Sequence, residues 1–508
     1  MTRSTHPTGA TADGAPPLPE EILREAAWDA ALSLGPGDAE RMRASREILD
    51  GKLDRGEPVY GVTHGFGPLV TYRASDSRFD QGAGLISHLG SGQGAPLSPE
   101  VSRLVVWLRL SGMRQGHSSV DPDFWRVLAD LWNRGFTPVI PREGTVSASG
   151  DLQPLAHAAL AFAGRGEAWA REEGAWRVRP AEKVLADLGA SPVRWSGREA
   201  LAFVNGTSAG LAQSLANHHE VSRLVRATAM LTGRNTVVLG ANPEAFHDGI
   251  GRARGQHGQR VAAEWIRREI PEGFERDASR PLQEPYSLRC APQVLGAVLD
   301  QLEACGTILA REAQGCTDNP VCVDGEILHG GNFHAMPVGL ASDQIGLCLQ
   351  QVAFLAERQL ALLVSPVTNG GANPMLTPVP GAGSGLAGVQ ISATSFVSRI
   401  RQLVYPSSLT ALPTNNGNQD HVPMALNGAN SVADAAELGW LAVASLAVGT
   451  AQYTALLDLP VPGGGPWEDL ARACPPLEQD RPLAPEVRAA RAVLADAVPH
   501  PFSTPADA

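Results

Sequence analysis

Apolar residues recur at helical spacing through most of the second half of the chain. In residues 296–312 they form one stripe, made of Val298, Leu302, Cys305 and Leu309. A repeat of this kind is typical of an amphipathic helix. Residues 338–364 contain no proline, and about residues 427–457 form a third long apolar segment. Helices this long, with apolar residues on more than one side, pack against several neighbours, so the pattern predicts a helical bundle that also oligomerises.

The rest of the chain is divided around this bundle. Residues 1–17, rich in Pro, Thr and Gly, are predicted to be a flexible N-terminal arm. Residues 18–210 mix short apolar segments with Gly-rich turns and are predicted to form an N-terminal domain. Residues 211–460 are predicted to be the central bundle, interrupted by a Pro- and Gly-rich loop at about 365–388, and residues 461–508 a C-terminal tail that packs on it.

Composition narrows the class of protein. The 508 residues are 43% hydrophobic and 5% aromatic, and 41 Lys and Arg against 53 Asp and Glu give a net charge of −12. This apolar content favours a folded core, and the negative charge argues against general nucleic-acid binding, which requires a basic surface. The N-terminus lacks the apolar stretch of a secretory signal, and the apolar run at 438–451 is shorter than the roughly 20 residues that span a bilayer. The six cysteines include no C-x-x-C pair. We therefore expect a cytoplasmic protein with free thiols and no membrane segment.

Common cofactor motifs are absent or lie in the wrong context. Residues 383–388 match G-x-G-x-x-G, but a Pro-rich coil precedes them, whereas a dinucleotide site requires a preceding strand and a later acidic residue. The sequence contains no P-loop, no G-x-S-x-G elbow and no paired His or Cys clusters at zinc-ligand spacing. It predicts neither a metal nor a nucleotide cofactor.

Residues 144–157, G-T-V-S-A-S-G-D-L-Q-P-L-A-H, carry distinctive chemistry. Taken alone, Ala148-Ser149-Gly150 is compatible with a tight turn before a helix that starts near Asp151, a residue type favoured at helix N-caps. In its full extent the segment resembles the self-processing motif of the aromatic amino acid ammonia-lyases and aminomutases, the family of the histidine, phenylalanine and tyrosine ammonia-lyases. In that family Ala-Ser-Gly cyclises into 4-methylidene-imidazol-5-one (MIO), an electrophile made from the chain itself.

The resemblance implies a fold and an assembly as well as a cofactor. It implies a mainly α, histidine-ammonia-lyase-like fold, in which the N-terminal domain bears the MIO and a long helical bundle follows. It also implies a homotetramer in which each site draws on three subunits. The residue types suit the cyclisation, since the backbone nitrogen of Gly150 must attack the carbonyl carbon of Ala148 and a side chain at 150 would obstruct this approach. Loss of water from Ser149 then leaves an electron-poor methylidene carbon that can capture an amine.

The resemblance extends from about residue 60 to about residue 452 and implies further site residues. Tyr60, in Y-G-V-T-H-G-F-G, would be the general base; because an ordinary phenol has a pKa near 10, this role requires neighbours that stabilise phenolate. The alternative is a tyrosine packed on a Gly-rich turn. Arg289, in L-Q-E-P-Y-S-L-R-C, would pair with the substrate carboxylate through its planar fork, the alternative being a structural ion pair. Tyr286 would lie close to the MIO and assist elimination. The resemblance places four further residues in the substrate pocket: Asn205, Gln283, Asn319 and Phe333.

Two residues bear on the choice of amino acid. His88, in L-I-S-H-L-G-S-G, lies where tyrosine lyases carry His-Leu, and it can hydrogen-bond to the para-hydroxyl of tyrosine; histidine lyases also carry His there. Gln419 takes the place of a glutamate that binds imidazole in histidine lyases, and Asn418-Gln419-Asp420 resembles the tyrosine and phenylalanine enzymes. Asn415, in the same segment, is expected to contribute to substrate binding. Together His88 and Gln419 favour tyrosine.

The predicted function is a tyrosine ammonia-lyase, which converts L-tyrosine into trans-4-coumarate and ammonia. A tyrosine 2,3-aminomutase uses the same residues and stays open, as do phenylalanine and histidine ammonia-lyases. Pro68 stands where the aminomutases tend to carry an acidic residue, which favours the lyase. Enzymes of the fumarase and argininosuccinate-lyase type require a G-S-S-x-M-P-x-K loop that the chain lacks. A non-enzymatic helical scaffold would give no reason for these motifs to coincide.

Overall fold

A computed structural model describes residues 17–75 and 77–498. The predicted arm at 1–17 lies outside the described residues except for Pro17. With 59% helix, the chain has the mainly α architecture predicted from its sequence.

The N-terminal part combines short helices with small antiparallel sheets. Its helices are α1 (Pro19–Glu25), α2 (Pro36–Asp54), α3 (Arg78–Leu89), α4 (Pro99–Met113), α5 (Pro122–Asn133), α6 (Leu152–Phe162), α7 (Ala181–Asp187) and α8 (Gly197–Val204). Its strands are β1 (Gln93–Pro96), β2 (Thr137–Pro138), β3 (Pro141–Glu143), β4 (Glu167–Glu172) and β5 (Ala175–Pro180). Strand β1 pairs with β3, and β4 lies between β2 and β5. Helix starts follow capping chemistry: the side chains of Ser77, Ser98 and Asp121 accept hydrogen bonds from backbone N–H groups in the first turns of α3, α4 and α5.

Long helices form the rest of the molecule. They and their shorter neighbours are α9 (Ser208–Val238), α10 (Asp248–Arg254), α11 (His257–Arg267), α12 (Tyr286–Arg289), α13 (Ala291–Gln314), α14 (Met336–Val364), α15 (Ala387–Leu403), α16 (Ala425–Leu456), α17 (Pro466–Ala473) and α18 (Ala484–Ala497). A hairpin of β6 (Val321–Val323) and β7 (Glu326–Leu328) follows α13. Helices α13 and α14 include the first two predicted segments, and α16 covers the third except for its last residue. The boundary predicted between residues 210 and 211 falls near the start of α9.

Close approach of helices explains why small residues are so frequent in the bundle. Helix α16 packs on α14, α9 and α15, and a Cβ atom added at Gly439 would lie 2.8 Å from Leu349 Cδ1 of α14. By length and composition α14 and α16 are apolar enough to cross a membrane, yet 61% and 72% of their most apolar windows are buried inside the protein. Their apolar character is therefore accounted for by packing in the core.

The predicted loop at 365–388 contains a short 3-10 helix, Pro374–Leu376, and ends where α15 begins. Within the residues that the structure describes, no strand leads directly into its G-x-G-x-x-G segment. The backbone N–H groups of Ser384 and Gly385 donate to the carboxylate of Asp480 at 2.7 and 3.0 Å. The donors that a phosphate-binding loop would offer are thus used within the chain.

Candidate active site

Residues 144–151 form a distorted connection between β3 and α6. Ser147 and Gly150 both have positive φ, 58° and 71°. For Ser147 this left-handed conformation is supported by its side chain, which donates to Asp151 Oδ1 at 2.7 Å and accepts from the N–H of Leu426 at 3.2 Å. Asp151 occupies the N-cap position of α6, but its side chain does not cap the helix. It accepts instead from Ser147 and from the N–H of Gly210, at 2.7 Å.

The connection is held between the starts of two core helices. The carbonyl of Val146 accepts from the N–H of Met424, at 3.1 Å, just before α16. The carbonyl of Ser147 accepts from the N–H of Ala335, at 3.2 Å, just before α14. The backbone on the N-terminal side of Ala148 is therefore fixed by the bundle.

Gly150 lies against another glycine. Its neighbour Asp151 donates a backbone hydrogen bond to the carbonyl of Gly206 at 2.7 Å, and a Cβ atom at Gly150 would overlap the Gly206 backbone. Ala148 and Gly150 approach each other closely enough to form a β-bridge. Small residues, a tight backbone and no room for a side chain at 150 are what cyclisation of 148–150 needs, so the segment fits an MIO precursor.

Two amides contact Ser149 from different parts of the chain. Asn205, at the end of α8, donates from Nδ2 to the Ser149 carbonyl oxygen at 2.8 Å. Gln419 donates from Nε2 to Ser149 Oγ at 2.9 Å. Asn205 Oδ1 is buried and has no hydrogen-bond partner among residues 17–75 and 77–498, so an acceptor remains available beside Ser149.

These residues face a cavity of about 640 Å³. Eleven of the fourteen predicted site residues line it: Tyr60, His88, Ala148, Ser149, Gly150, Asn205, Asn319, Phe333, Asn415, Asn418 and Gln419. Other lining residues were not predicted from the sequence: an apolar wall that includes Phe66, Leu69, Val70, Leu85, Leu89, Leu152 and Leu201, and the polar residues Thr145, Gln153 and Thr414. Gln153 lies within the motif at 144–157 and in the first turn of α6, directly after the cyclising segment. This position in the sequence could have identified it as a lining residue.

The segment 414–419 enters the cavity as a tight turn. Thr414 and Gln419 exchange backbone hydrogen bonds of 3.0 and 3.3 Å. Between them Asn415, Asn416 and Gly417 all have positive φ, from 53° to 76°. Asn and Gly tolerate this conformation better than other residues, which explains the Asn-Asn-Gly sequence of the turn.

Tyr60 lies on a loop anchored beside the β6–β7 hairpin. Its predecessor Val59 packs in a small cluster with Leu49, Cys322 and Ile327. The Tyr60 hydroxyl accepts from the N–H of Gly67 at 2.8 Å, and the ring meets Phe66 edge to face. Burial raises the pKa of the Tyr60 phenol, and the hydrogen bond from Gly67 only partly opposes this. Within one chain, burial therefore favours the neutral phenol.

His88 has a defined hydrogen-bonding direction. Its Nδ1 lies 3.1 Å from the carbonyl oxygen of Gly84, one turn earlier in α3. A carbonyl only accepts, so Nδ1 carries the hydrogen and Nε2 of the neutral ring is an acceptor. The side chain is exposed at the cavity edge.

Gln283, Tyr286 and Arg289 do not line the cavity of the single chain. Gln283 is exposed, and Tyr286 is 71% exposed at the start of α12. Arg289 stacks on the Tyr286 ring at 4.7 Å, and its Nε is buried without a partner in the described part of the chain. It takes part in no salt bridge among residues 17–75 and 77–498. Apart from His88, no ionisable acid or base other than tyrosine is found among the described lining residues.

Within residues 17–75 and 77–498, no group of three or more His, Cys, Asp or Glu side chains is arranged to hold a metal ion.

Comparison with known proteins places the chain. The sequence model of the family described as aromatic amino acid lyase matches residues 19–473. The structure of tyrosine aminomutase from Streptomyces globisporus is 28% identical, with 96% of this chain and 97% of that chain covered and a TM-score of 0.87. Histidine ammonia-lyase from Trypanosoma cruzi is 26% identical, with 94% and 92% covered and a TM-score of 0.84. Phenylalanine aminomutase from Pantoea agglomerans, at 24% identity, 94% and 97% coverage and a TM-score of 0.84, shares the fold.

These similarities confirm the predicted family, the histidine-ammonia-lyase-like fold and the carbon–nitrogen lyase class. They span nearly the whole chain, from the first described helix to α17 and beyond. The chain is therefore an enzyme that belongs to the aromatic amino acid lyase family, whose members are in general MIO-dependent.

Proposed function

We propose that this enzyme is a tyrosine ammonia-lyase, which eliminates ammonia from L-tyrosine to give trans-4-coumarate. The observation that carries the proposal is the convergence on one cavity of Ala148-Ser149-Gly150, Tyr60 and His88. An MIO formed from residues 148–150 would supply an electrophilic carbon that makes the substrate amine a better leaving group. No metal and no nucleotide takes part in this chemistry.

Asn205 is proposed to contact both the cyclised segment and the substrate amino group. Its Nδ2 hydrogen bond to the Ser149 carbonyl oxygen, at 2.8 Å, stabilises negative charge that develops on that oxygen. Its unpartnered Oδ1 is an acceptor for the substrate amino group. Asn205 thus orients the amine toward Ser149 while it polarises the same residue.

Tyr60 is the proposed base. As phenolate, it accepts the proton from Cβ of the substrate while the Cα–N bond breaks, and the electrons of the C–H bond form the Cα=Cβ double bond. The N–H of Gly67, 2.8 Å from the hydroxyl, is a donor that stabilises the phenolate. Since burial raises the pKa of the phenol, further stabilisation has to come with substrate or assembly.

His88 is proposed to recognise the para-hydroxyl of the tyrosine ring. The hydrogen on Nδ1 is taken by the Gly84 carbonyl, so Nε2 accepts a hydrogen bond from the para-hydroxyl of tyrosine. Phenylalanine has no donor for it. Gln419, Asn418, Asn415, Asn319 and Phe333 are proposed to complete the pocket.

Arg289, Tyr286 and Gln283 are proposed to enter the pocket from a second copy of the chain. A zwitterionic amino acid brings a carboxylate, and the described lining of one chain offers no Lys or Arg to pair with it. The exposed Tyr286 and Leu282, at 71% and 65%, form an apolar surface that association would cover. A homotetramer with shared sites provides this arrangement. All six cysteines are free thiols, which supports a reducing, cytoplasmic location.

A tyrosine 2,3-aminomutase is the second candidate, because a tyrosine aminomutase structure matches 96% of this chain. Pro68, which lines the cavity, favours the lyase where aminomutases tend to carry an acidic residue.

Two measurements test the proposal. The peptide that contains residues 148–150 should have lost the mass of two waters; an unmodified mass in active enzyme would contradict the MIO. Ultraviolet assays with tyrosine, phenylalanine and histidine separately should show coumarate formed fastest, and chromatography should show no accumulation of β-tyrosine. Faster turnover of phenylalanine or histidine, or β-tyrosine as the main product, would reject the tyrosine lyase.

A further inference from the structure

A buried arginine lies behind the cyclising segment and has no role in the reaction described above. Arg109 is in the middle of α4 and is 1% exposed. Its Nη1 donates to Thr317 Oγ1 at 3.0 Å and rests on the Cα of Gly206, where an added Cβ atom would overlap the guanidinium. A glycine at 206 is therefore required for Arg109 to reach Thr317.

Gly206 connects this arginine to Gly150. One side of the Gly206 backbone meets the guanidinium, and another meets Gly150, at which an added Cβ atom would also overlap Gly206. The Gly206 carbonyl accepts from the N–H of Asp151 at 2.7 Å. The order is thus guanidinium, Gly206 peptide, Gly150, with no side chain between them.

The burial of the Arg109 guanidinium in the core is energetically unfavourable. Its Nε and Nη2 have no hydrogen-bond partner among the described residues, and burial lowers the pKa of the guanidinium. The carboxylate that opposes this shift, Asp318, forms a buried ion pair with Arg198. Buried charges without matched partners destabilise a fold, so folding alone does not explain a cation at this place.

Arg103, on the same helix, shows what a structural arginine looks like here. It is also 1% exposed, but its three donor nitrogens reach the carbonyls of Ala26, Trp132 and Ala27 at 3.1, 2.8 and 3.3 Å. Its guanidinium also stacks on Trp132 at 3.5 Å. Arg103 is therefore explained by its packing and hydrogen bonds, whereas the equally buried Arg109 is not.

We propose that Arg109 is a positioning residue for the cyclisation of Ala148-Ser149-Gly150. It holds the Gly206 backbone against Gly150, whose amide nitrogen has to act as the nucleophile. In that step the Gly150 nitrogen bonds to the Ala148 carbonyl carbon. The Ala148 carbonyl oxygen leaves as the first water with two protons, one from the Gly150 amide and one from the Ser149 amide, and a C=N double bond forms between the Ala148 carbon and the Ser149 nitrogen. The Cα proton and the hydroxyl of Ser149 leave as the second. As part of this proposal, the positive charge of Arg109 favours loss of the Gly150 amide proton. The inference rests on the proposed MIO.

The test measures cyclisation by peptide mass, independently of turnover. Arg109→Met should form the cyclised peptide at least about tenfold more slowly after synthesis than the wild type, as expected for loss of one charge-assisted contact near the reacting amide. Arg109→Lys, which keeps the charge, should recover part of the rate. The matched control Arg103→Met should lower the thermal unfolding temperature and leave the cyclised fraction at the wild-type value.

Thr317→Val keeps the inference testable if Arg109→Met does not fold, because it removes only the oxygen that holds Nη1 and should also slow cyclisation. If Arg109→Met folds and cyclises at the wild-type rate, Arg109 has no role in the step. If Arg109→Met does not fold, wild-type cyclisation rates in both Arg109→Lys and Thr317→Val would overturn the role of Arg109. An equal loss in Arg103→Met would overturn it too, since general loosening would then explain the effect. An unmodified wild-type peptide would instead refute the proposed MIO.

Discussion

Replacement of His88 by phenylalanine should reduce the preference for tyrosine over phenylalanine. In the native pocket Nε2 of His88 is free to accept because Nδ1 is engaged by Gly84. One neutral hydrogen bond contributes about 0.5–1.5 kcal/mol, and a hydroxyl left without a partner costs about 1–3 kcal/mol. His88 is exposed at the cavity edge, so the lower values apply, and their sum of about 1.5 kcal/mol corresponds to roughly a tenfold change.

The assay is kcat/KM for tyrosine and for phenylalanine, measured separately on wild type, His88→Phe and His88→Gln. The ratio of the two should fall by roughly tenfold in His88→Phe, with most of the change in tyrosine. His88→Gln keeps an acceptor and should lie between the other two. A ratio that stays within about twofold of wild type would show that the hydroxyl is bound elsewhere, and Gln153 would then be the next residue to change.

Three further expectations concern the base, the glycine cradle and the buried thiols. Because burial within one chain raises the pKa of Tyr60, the phenolate fraction and hence kcat/KM should increase as the pH rises above neutrality, and Tyr60→Phe should lose activity; a Tyr60→Phe variant with wild-type activity and an unchanged pH profile would exclude Tyr60 as the base. Gly150→Ala places a Cβ at φ 71° against Gly206, so it should destabilise the fold by about 2–4 kcal/mol in denaturant titrations and leave residues 148–150 uncyclised; a cyclised, stable variant would contradict this. Burial raises the pKa of Cys348 and of Cys474 to about 12, so neither thiol should be alkylated at pH 8 until the chain is unfolded, and rapid labelling of the native enzyme would contradict their burial.

The long helices could be predicted from the sequence because helix formation depends on residues that are close together in the chain. Residues 338–364 and 427–457 were predicted as helices, and α14 and α16 agree within two residues at each end. The same holds for the turn at 148–150, where the motif itself carries the constraint. Periodicity and short motifs report what neighbours in the chain do to one another.

Contacts between distant segments were not accessible in this way. Asp151 looks like a helix cap in sequence, but its carboxylate binds Ser147 and Gly210, and no local pattern announces that choice. Arg109 lies in an ordinary apolar helix and becomes distinctive only when Gly206 is folded against it. Tyr286 and Arg289 belong to a recognisable motif, yet one chain does not bring them to the cavity, and their proposed place in the site requires a second copy.

The anchoring of residues 146 and 147 to the starts of α14 and α16 sets an order of events in the life of the molecule. Ala335 and Met424 can hold this backbone only after the two core helices have packed, because they lie far from it in the chain. A nascent or misfolded polypeptide would therefore carry an ordinary, unreactive serine. Under the proposed function, the electrophile would thus form only in copies whose bundle has packed, and the reactive alkene would be confined to folded enzyme.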